Sequence, residues 1–139
     1  MSSSGRRHRY SPATPSLRRE EDFTDEAEVQ EWRRSIPGLL EGPLPVITAK
    51  SGESGMREIR RRAREFSIPV LVLHGTTDRC TSPQASRAWL EKEISTDGSK
   101  KRFVPFEGGL HMLFEGRNRE RVEAEVVAFV RKCVQGQPL

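Results

Sequence analysis

Ile68-Pro69-Val70-Leu71-Val72-Leu73-His74-Gly75-Thr76-Thr77-Asp78 and Lys101-Arg102-Phe103-Val104-Pro105-Phe106-Glu107-Gly108-Gly109-Leu110-His111 decide how this chain folds. Each is a short apolar run ending in a glycine turn. The first turn closes on an acid and the second on a histidine. Val70 to Leu73 is unbroken Val and Leu, the pattern of a strand covered on both faces in a parallel sheet. Between the two runs, Ser82 is a helix N-cap with Pro83 at the first helical position, and Ala85, Ala88 and Trp89 are expected to turn inward. Thr96-Asp97-Gly98-Ser99 ends that helix, and Arg102 to Phe106 forms the next strand. The unit reads as strand–helix–strand with a right-handed crossover, and the fold class as α/β.

Outward from this unit, Asn118 to Val134 predicts the last helix, with Val122, Val126, Phe129, Val130 and Cys133 on its buried face and Gly136 as its stop. On the other side, Met56 to Phe66 predicts a helix with Met56, Ile59, Ala63 and Phe66 inward. Arg57, Arg60, Arg61, Arg62 and Arg64 then form a solvated face, with no interleaved aromatics to stack on nucleic-acid bases. Glu20 to Ser35 reads as a helix capped by Thr24, with Asp25, Glu26 and Glu28 in the first turn and Val29, Trp32 and Ile36 on one face. Pro37-Gly38 stops it. From Leu39 to Ser54 periodicity is lost, and Val46 to Ala49 suits a very short strand or an irregular cap.

At 139 residues, with 34% hydrophobic and 32% charged residues, the chain has room for one modestly cored domain. Five arginines and no acid lie in residues 1–19, so of the 24 basic residues 19 remain to face the 20 acidic ones. The net positive charge therefore belongs to an Arg/Ser/Pro-rich leader, expected to be disordered over residues 1–20. The longest apolar run, Ile68 to Leu73, is far short of the roughly 18 residues of a membrane span, and no secretory signal is visible. Cys80 and Cys133 form no CxxC pair, which points to free thiols in a reducing, cytoplasmic setting. Three histidines, one of them in the leader, leave little for a metal site.

In a parallel sheet the carboxyl ends of the strands open onto one edge, where ligands bind. Asp78 and His111 both lie just past such ends, on strands expected to be neighbours. Alone, Asp78 suits a turn that bonds its own loop, and His111 a hydrogen-bonded loop histidine. Together they have the order and placement of the acid and base of a serine-hydrolase triad, in which the acid fixes the tautomer of the histidine and stabilises the imidazolium. His74, ahead of its turn, is expected to pack or to bond to backbone.

From about Phe23 onward, roughly five-sixths of its length, the chain resembles the C-terminal half of α/β-hydrolases of the monoacylglycerol lipase and serine aminopeptidase S33 type. Ile68 to Arg79 is similar to their acid loop and Phe106 to His111 to their histidine loop. The resemblance implies Asp78 as triad acid, His111 as general base, and a lipid-ester substrate hydrolysed without metal or organic cofactor. It also implies a thiol-reactive Cys80 and a remnant of the acyl-shielding cap over about residues 22–56, followed by the sheet-and-helix part over about 57–135. The pattern departs from the family in the nucleophile. Gly-x-Ser-x-Gly and the oxyanion-hole donors should lie upstream, and the nearest match, Gly52-Glu53-Ser54-Gly55-Met56, misses the final glycine. The expectation is thus a partial α/β-hydrolase domain over residues 21–139, inactive alone. The competing expectation is a non-catalytic module that pairs its open sheet edge with a full-length hydrolase. Nucleic acid is not expected as a partner; peripheral membrane contact stays open.

Overall fold

The computed structural model of the chain describes residues 19–37 and 46–139. Residues 1–18 of the basic leader and the first part of the expected irregular stretch, residues 39–45, lie outside the described residues. Element order is α1 (Ala27–Ser35), α2 (Val46–Arg61), β1 (Val70–Gly75), α3 (Pro83–Ala88), β2 (Lys101–Phe106) and α4 (Arg119–Val134).

β1 and β2 pair in parallel, from Val70 beside Lys101 to Gly75 beside Phe106. Side chains alternate across a strand, and each face finds its own cover. On one face Val70 meets Ala63, Leu90 and Ile94, with Phe66, Val72, Trp89 and Phe103 around them. On the other, Val104 and Phe106 meet Val122 of α4, with Leu71, Leu73 and Leu113 around them. Helices on both faces explain the unbroken apolar run in β1.

Ser82 caps α3 as its sequence predicts, its Oγ accepting from the Ala85 N–H at 3.1 Å. The inward residues agree with expectation only in part, Trp89 packing against the core. Ala85 is exposed, and the helix widens into a π turn over Trp89–Glu93 that buries Leu90 and Ile94. Thr96, beyond that turn, is buried and donates to the Phe66 and Ile68 carbonyls at 3.2 and 2.9 Å, tying the crossover to the entrance of β1. On α4 only Val122 is buried; Val130 is 51% exposed.

The N-terminal segment departs furthest from its sequence reading. Glu20–Asp22 is a single 3₁₀ turn, and α1 begins at Ala27 with Glu26 at the cap position. Thr24 does not cap a helix: it is wholly buried, and its hydroxyl donates to the Glu115 carbonyl at 2.6 Å. Trp32, expected inward, is 58% exposed, because α1 turns its polar side to the core through Gln30 and Arg33. Val46 to Ala49 is not a strand but the first turn of α2, which runs unbroken through Gly52 and Gly55. Met56 and Ile59, also expected inward, are exposed, whereas Ala63 is buried.

Candidate active site

The carboxyl ends of β1 and β2 carry two loops laced to each other. The Thr76 N–H donates to the Phe106 carbonyl at 2.9 Å. The Thr77 N–H and hydroxyl both donate to the Gly109 carbonyl, at 3.1 and 2.9 Å, and the Gly108 N–H donates to Thr76 Oγ1 at 2.9 Å. Glycine is required here for two different reasons. A methyl group on Gly75 would overlap the Gly109 carbonyl, so the loops can lie this close only without it. Gly108 sits in open space but at φ +67°, a conformation that L side chains rarely adopt.

This lacing brings the side chains together. The Asp78 side chain is 3% exposed, and all its acceptor capacity is used. Its Oδ1 accepts from the N–H groups of Cys80 and Thr81 at 2.7 and 3.0 Å. Its Oδ2 accepts from the Thr81 hydroxyl at 2.7 Å and lies 3.0 Å from His111 Nδ1 and 3.1 Å from His74 Nε2. Burial pushes the carboxyl upward, but the bonds from His111, Thr81 and Cys80 outweigh it and hold the group at about 2. Asp78 is therefore a carboxylate throughout the physiological range, and His111 faces it with Nδ1. Among the described residues no serine or threonine hydroxyl bonds the Nε2 of His111.

Of the two expectations for His74, packing holds and a backbone bond is not what satisfies its ring. It is buried, and its Nε2 meets Asp78 and, at 3.3 Å, Thr81 Oγ1. The Thr81 hydrogen is committed to Asp78, so both neighbours present acceptors and the His74 proton must sit on Nε2. Sequence reasoning missed His74 and Thr81 as partners of Asp78. The available signal was spacing: His74 stands four residues before the acid across a tight turn, and Thr81 three residues after it.

Cys80 lies on the same loop, in no disulfide, with Sγ 4.0 Å from the Asp22 carbonyl. Asp78, Cys80 and His111 each bring a potential metal-ligating atom within 4.8 Å of the others. The donor set does not fit a metal ion, because every Asp78 lone pair already faces an N–H or O–H donor. Ser54, the nearest match to a nucleophile motif, lies in the interior of α2 rather than on a strand-to-helix elbow.

Residues 19–25 close the site from the side. The Phe23 ring stands edge-on to His111 with centroids 5.7 Å apart, and the Met112 N–H donates to the Phe23 carbonyl at 2.7 Å. Asp25 accepts from the Arg117 N–H at 3.1 Å and pairs with its guanidinium. Asp22 pairs with Arg79 at 3.2 Å.

A parallel strand–helix–strand unit with helices on both faces, an acid after the first strand and a histidine after the second is the C-terminal part of an α/β-hydrolase. The comparisons narrow the class. The family model for serine aminopeptidase, S33 (Hydrolase_4) matches residues 7–118, and the chain belongs to that family. It is 34% identical over 83 residues to caffeoylshikimate esterase of Arabidopsis thaliana, a match covering 55% of this chain and 24% of that protein. Its fold is similar to the crystal structure of Paleococcus ferrophilus monoacylglycerol lipase, with a TM-score of 0.67 at 24% identity, covering 81% of this chain and 43% of the lipase. The chain thus spans about a quarter of the esterase and under half of the lipase.

Proposed function

We propose that the chain supplies the acid and base of a monoacylglycerol-lipase-like serine hydrolase acting on lipid esters, and that it lacks the nucleophile and is inactive alone. The observation that carries this reading is the Asp78–His111 bond at the carboxyl ends of adjacent parallel strands, with the histidine Nε2 turned away from the acid. In such a site Nε2 takes the proton of the attacking hydroxyl and returns it to the leaving alcohol, while Asp78 holds the tautomer and stabilises the imidazolium. The helical setting of Ser54 supports the absence of a nucleophile. Removing the serine of a triad costs on the order of a millionfold in turnover, by the subtilisin example. The reaction needs no cofactor. By the same reading the chain works in the cytoplasm, with membrane contact at most peripheral; no described helix is long and apolar enough to cross a bilayer.

The test is hydrolysis of p-nitrophenyl butyrate by the purified chain. No turnover above buffer is expected. Turnover that Ser54→Ala abolishes would make Ser54 the nucleophile and overturn the proposal.

A second reading is favoured by the unpaired edge of β1 among the described residues. A groove of about 470 Å³ lined by Met56, Ile59, Val72, Ala85 and Trp89 flanks the strand. On α4, Val127, Val130 and Val134 form an exposed apolar stripe. Apolar surface on both helical layers suits a module that docks on a full-length hydrolase. Concentration-dependent association with such an enzyme in sedimentation supports this reading, and a monomer indifferent to it counts against it.

A further inference from the structure

We propose that Phe23, on the strap of residues 19–25, is a positioning residue for His111. The inference rests on the reading of His111 as the general base. Four contacts, spread along the histidine loop, fix the strap to it. The Phe23 carbonyl takes the Met112 N–H, and the Thr24 hydroxyl donates to the Glu115 carbonyl. Asp25 takes the Arg117 N–H and pairs with its guanidinium, and the Phe23 ring meets the imidazole itself. Gly116 leaves room for the third, since a Cβ there would come within 3.0 Å of Asp25 Oδ1.

The strap is a fixed platform. Glu20, Asp22, Phe23 and Thr24 are all buried. The Arg33 guanidinium lies over the Phe23 ring, 4.9 Å from the centroid, and Arg33 is held by Glu20 at 2.7 Å. Arg33 belongs to α1, so one stack runs from α1 through Phe23 to His111. Among the described residues, the only side-chain hydrogen bond of His111 is the one to Asp78. An imidazole with 35% of its side chain exposed and one hydrogen bond can swing about its side-chain torsions, and the Phe23 ring closes off part of that range. Edge-on aromatic contact also has a preferred geometry, which fixes the ring plane as well as its position. Displacing α1 would therefore reach the base through Phe23.

The experiment measures, in the full chain, the solvent-exchange rate of the His111 Nδ1 proton in ¹⁵N imidazole spectra, alongside amide exchange of Met112 and Val104. With only three histidines the signals are assignable. Phe23→Ala is expected to speed exchange of the His111 proton about tenfold with Val104 unchanged. Phe23→Leu, which keeps most of the volume but loses the aromatic edge, should fall between wild type and Phe23→Ala. A His111 rate within twofold of wild type in Phe23→Ala overturns the proposal. If Phe23→Ala also speeds Val104, Phe23→Leu decides: a changed His111 rate with Val104 intact supports the proposal, and an unchanged one overturns it. Absence of an Nδ1 proton on His111 in the wild type would instead remove the acid–base reading on which this rests.

Discussion

Gly75→Ala is the substitution expected to damage the site most for its size. The added methyl would run into the backbone carbonyl of Gly109 and against that of Leu110. Backbone cannot escape by changing rotamer, so the acid loop and the histidine loop must part. Overpacking of this kind costs about 3 kcal/mol, the upper end of the usual range, because no flexible side chain can yield. For a chain of this size such a loss lowers Tm by roughly 10 °C. The backbone bonds from Thr76 and Thr77 across the loops would lengthen with it, and the Asp78–His111 bond with them. Two other substitutions separate this mechanism from a general intolerance of glycine replacement. Gly108→Ala, in open space but at positive φ, should cost about 1 kcal/mol. Gly55→Ala, inside α2 with nothing near it, should stabilise by about 0.5–1 kcal/mol. Urea denaturation of the three variants is the assay. A Gly75→Ala chain within about 0.5 kcal/mol of wild type would refute the reasoning, since that is the scatter of ordinary surface changes.

Three further outcomes follow. The Asp78 carboxyl is held at about 2, below its ordinary 3.8. Its contribution, roughly 2 kcal/mol at 1.36 kcal/mol per pH unit, is fully present above the unfolded value and lost as pH falls through about 2; Asp78→Asn should flatten the acid limb of stability against pH. Asp22 is held low chiefly by the Arg19 N–H, and Asp25 by the Arg117 backbone and side chain against the upward push of burial. Stability from these two is likewise present above the ordinary carboxylate range and lost in acid, so the protection of the Met112 and Arg117 amides, relative to their intrinsic exchange at each pH, should fall as pH drops below that range. Ser82→Ala removes the cap of α3 and should cost about 1 kcal/mol in urea denaturation.

The central strand–helix–strand unit was legible because its signals are local. The apolar run of β1, the Ser82-Pro83 cap and the glycine turns each depend on residues next to one another. The proximity of Asp78 and His111 followed from adjacency of their strands, which the structure shows. What escaped sequence reasoning depends on distant partners. Thr24 has the chemistry of an N-cap, but its hydroxyl answers a carbonyl 91 residues away. Val46 to Ala49 has strand-like β-branching and is followed by two glycines, yet it is helical; local propensity was overridden there. The outward faces of Trp32, Met56 and Ile59 could not be anticipated either, since periodicity marks an apolar face without saying what covers it. His74 gives only the weaker signal of its spacing, four residues before the acid across a tight turn, which does not say that its ring reaches the carboxylate.

The claim that Asp78 and His111 act as the acid and base of a hydrolase site is tested most directly by the tautomer of His111. Imidazole ¹⁵N spectra of the neutral ring should show the proton on Nδ1 and Nε2 bare, poised to receive a proton, with the preference lost in Asp78→Asn. A wild-type His111 protonated on Nε2, or a tautomer indifferent to Asp78→Asn, would contradict the account.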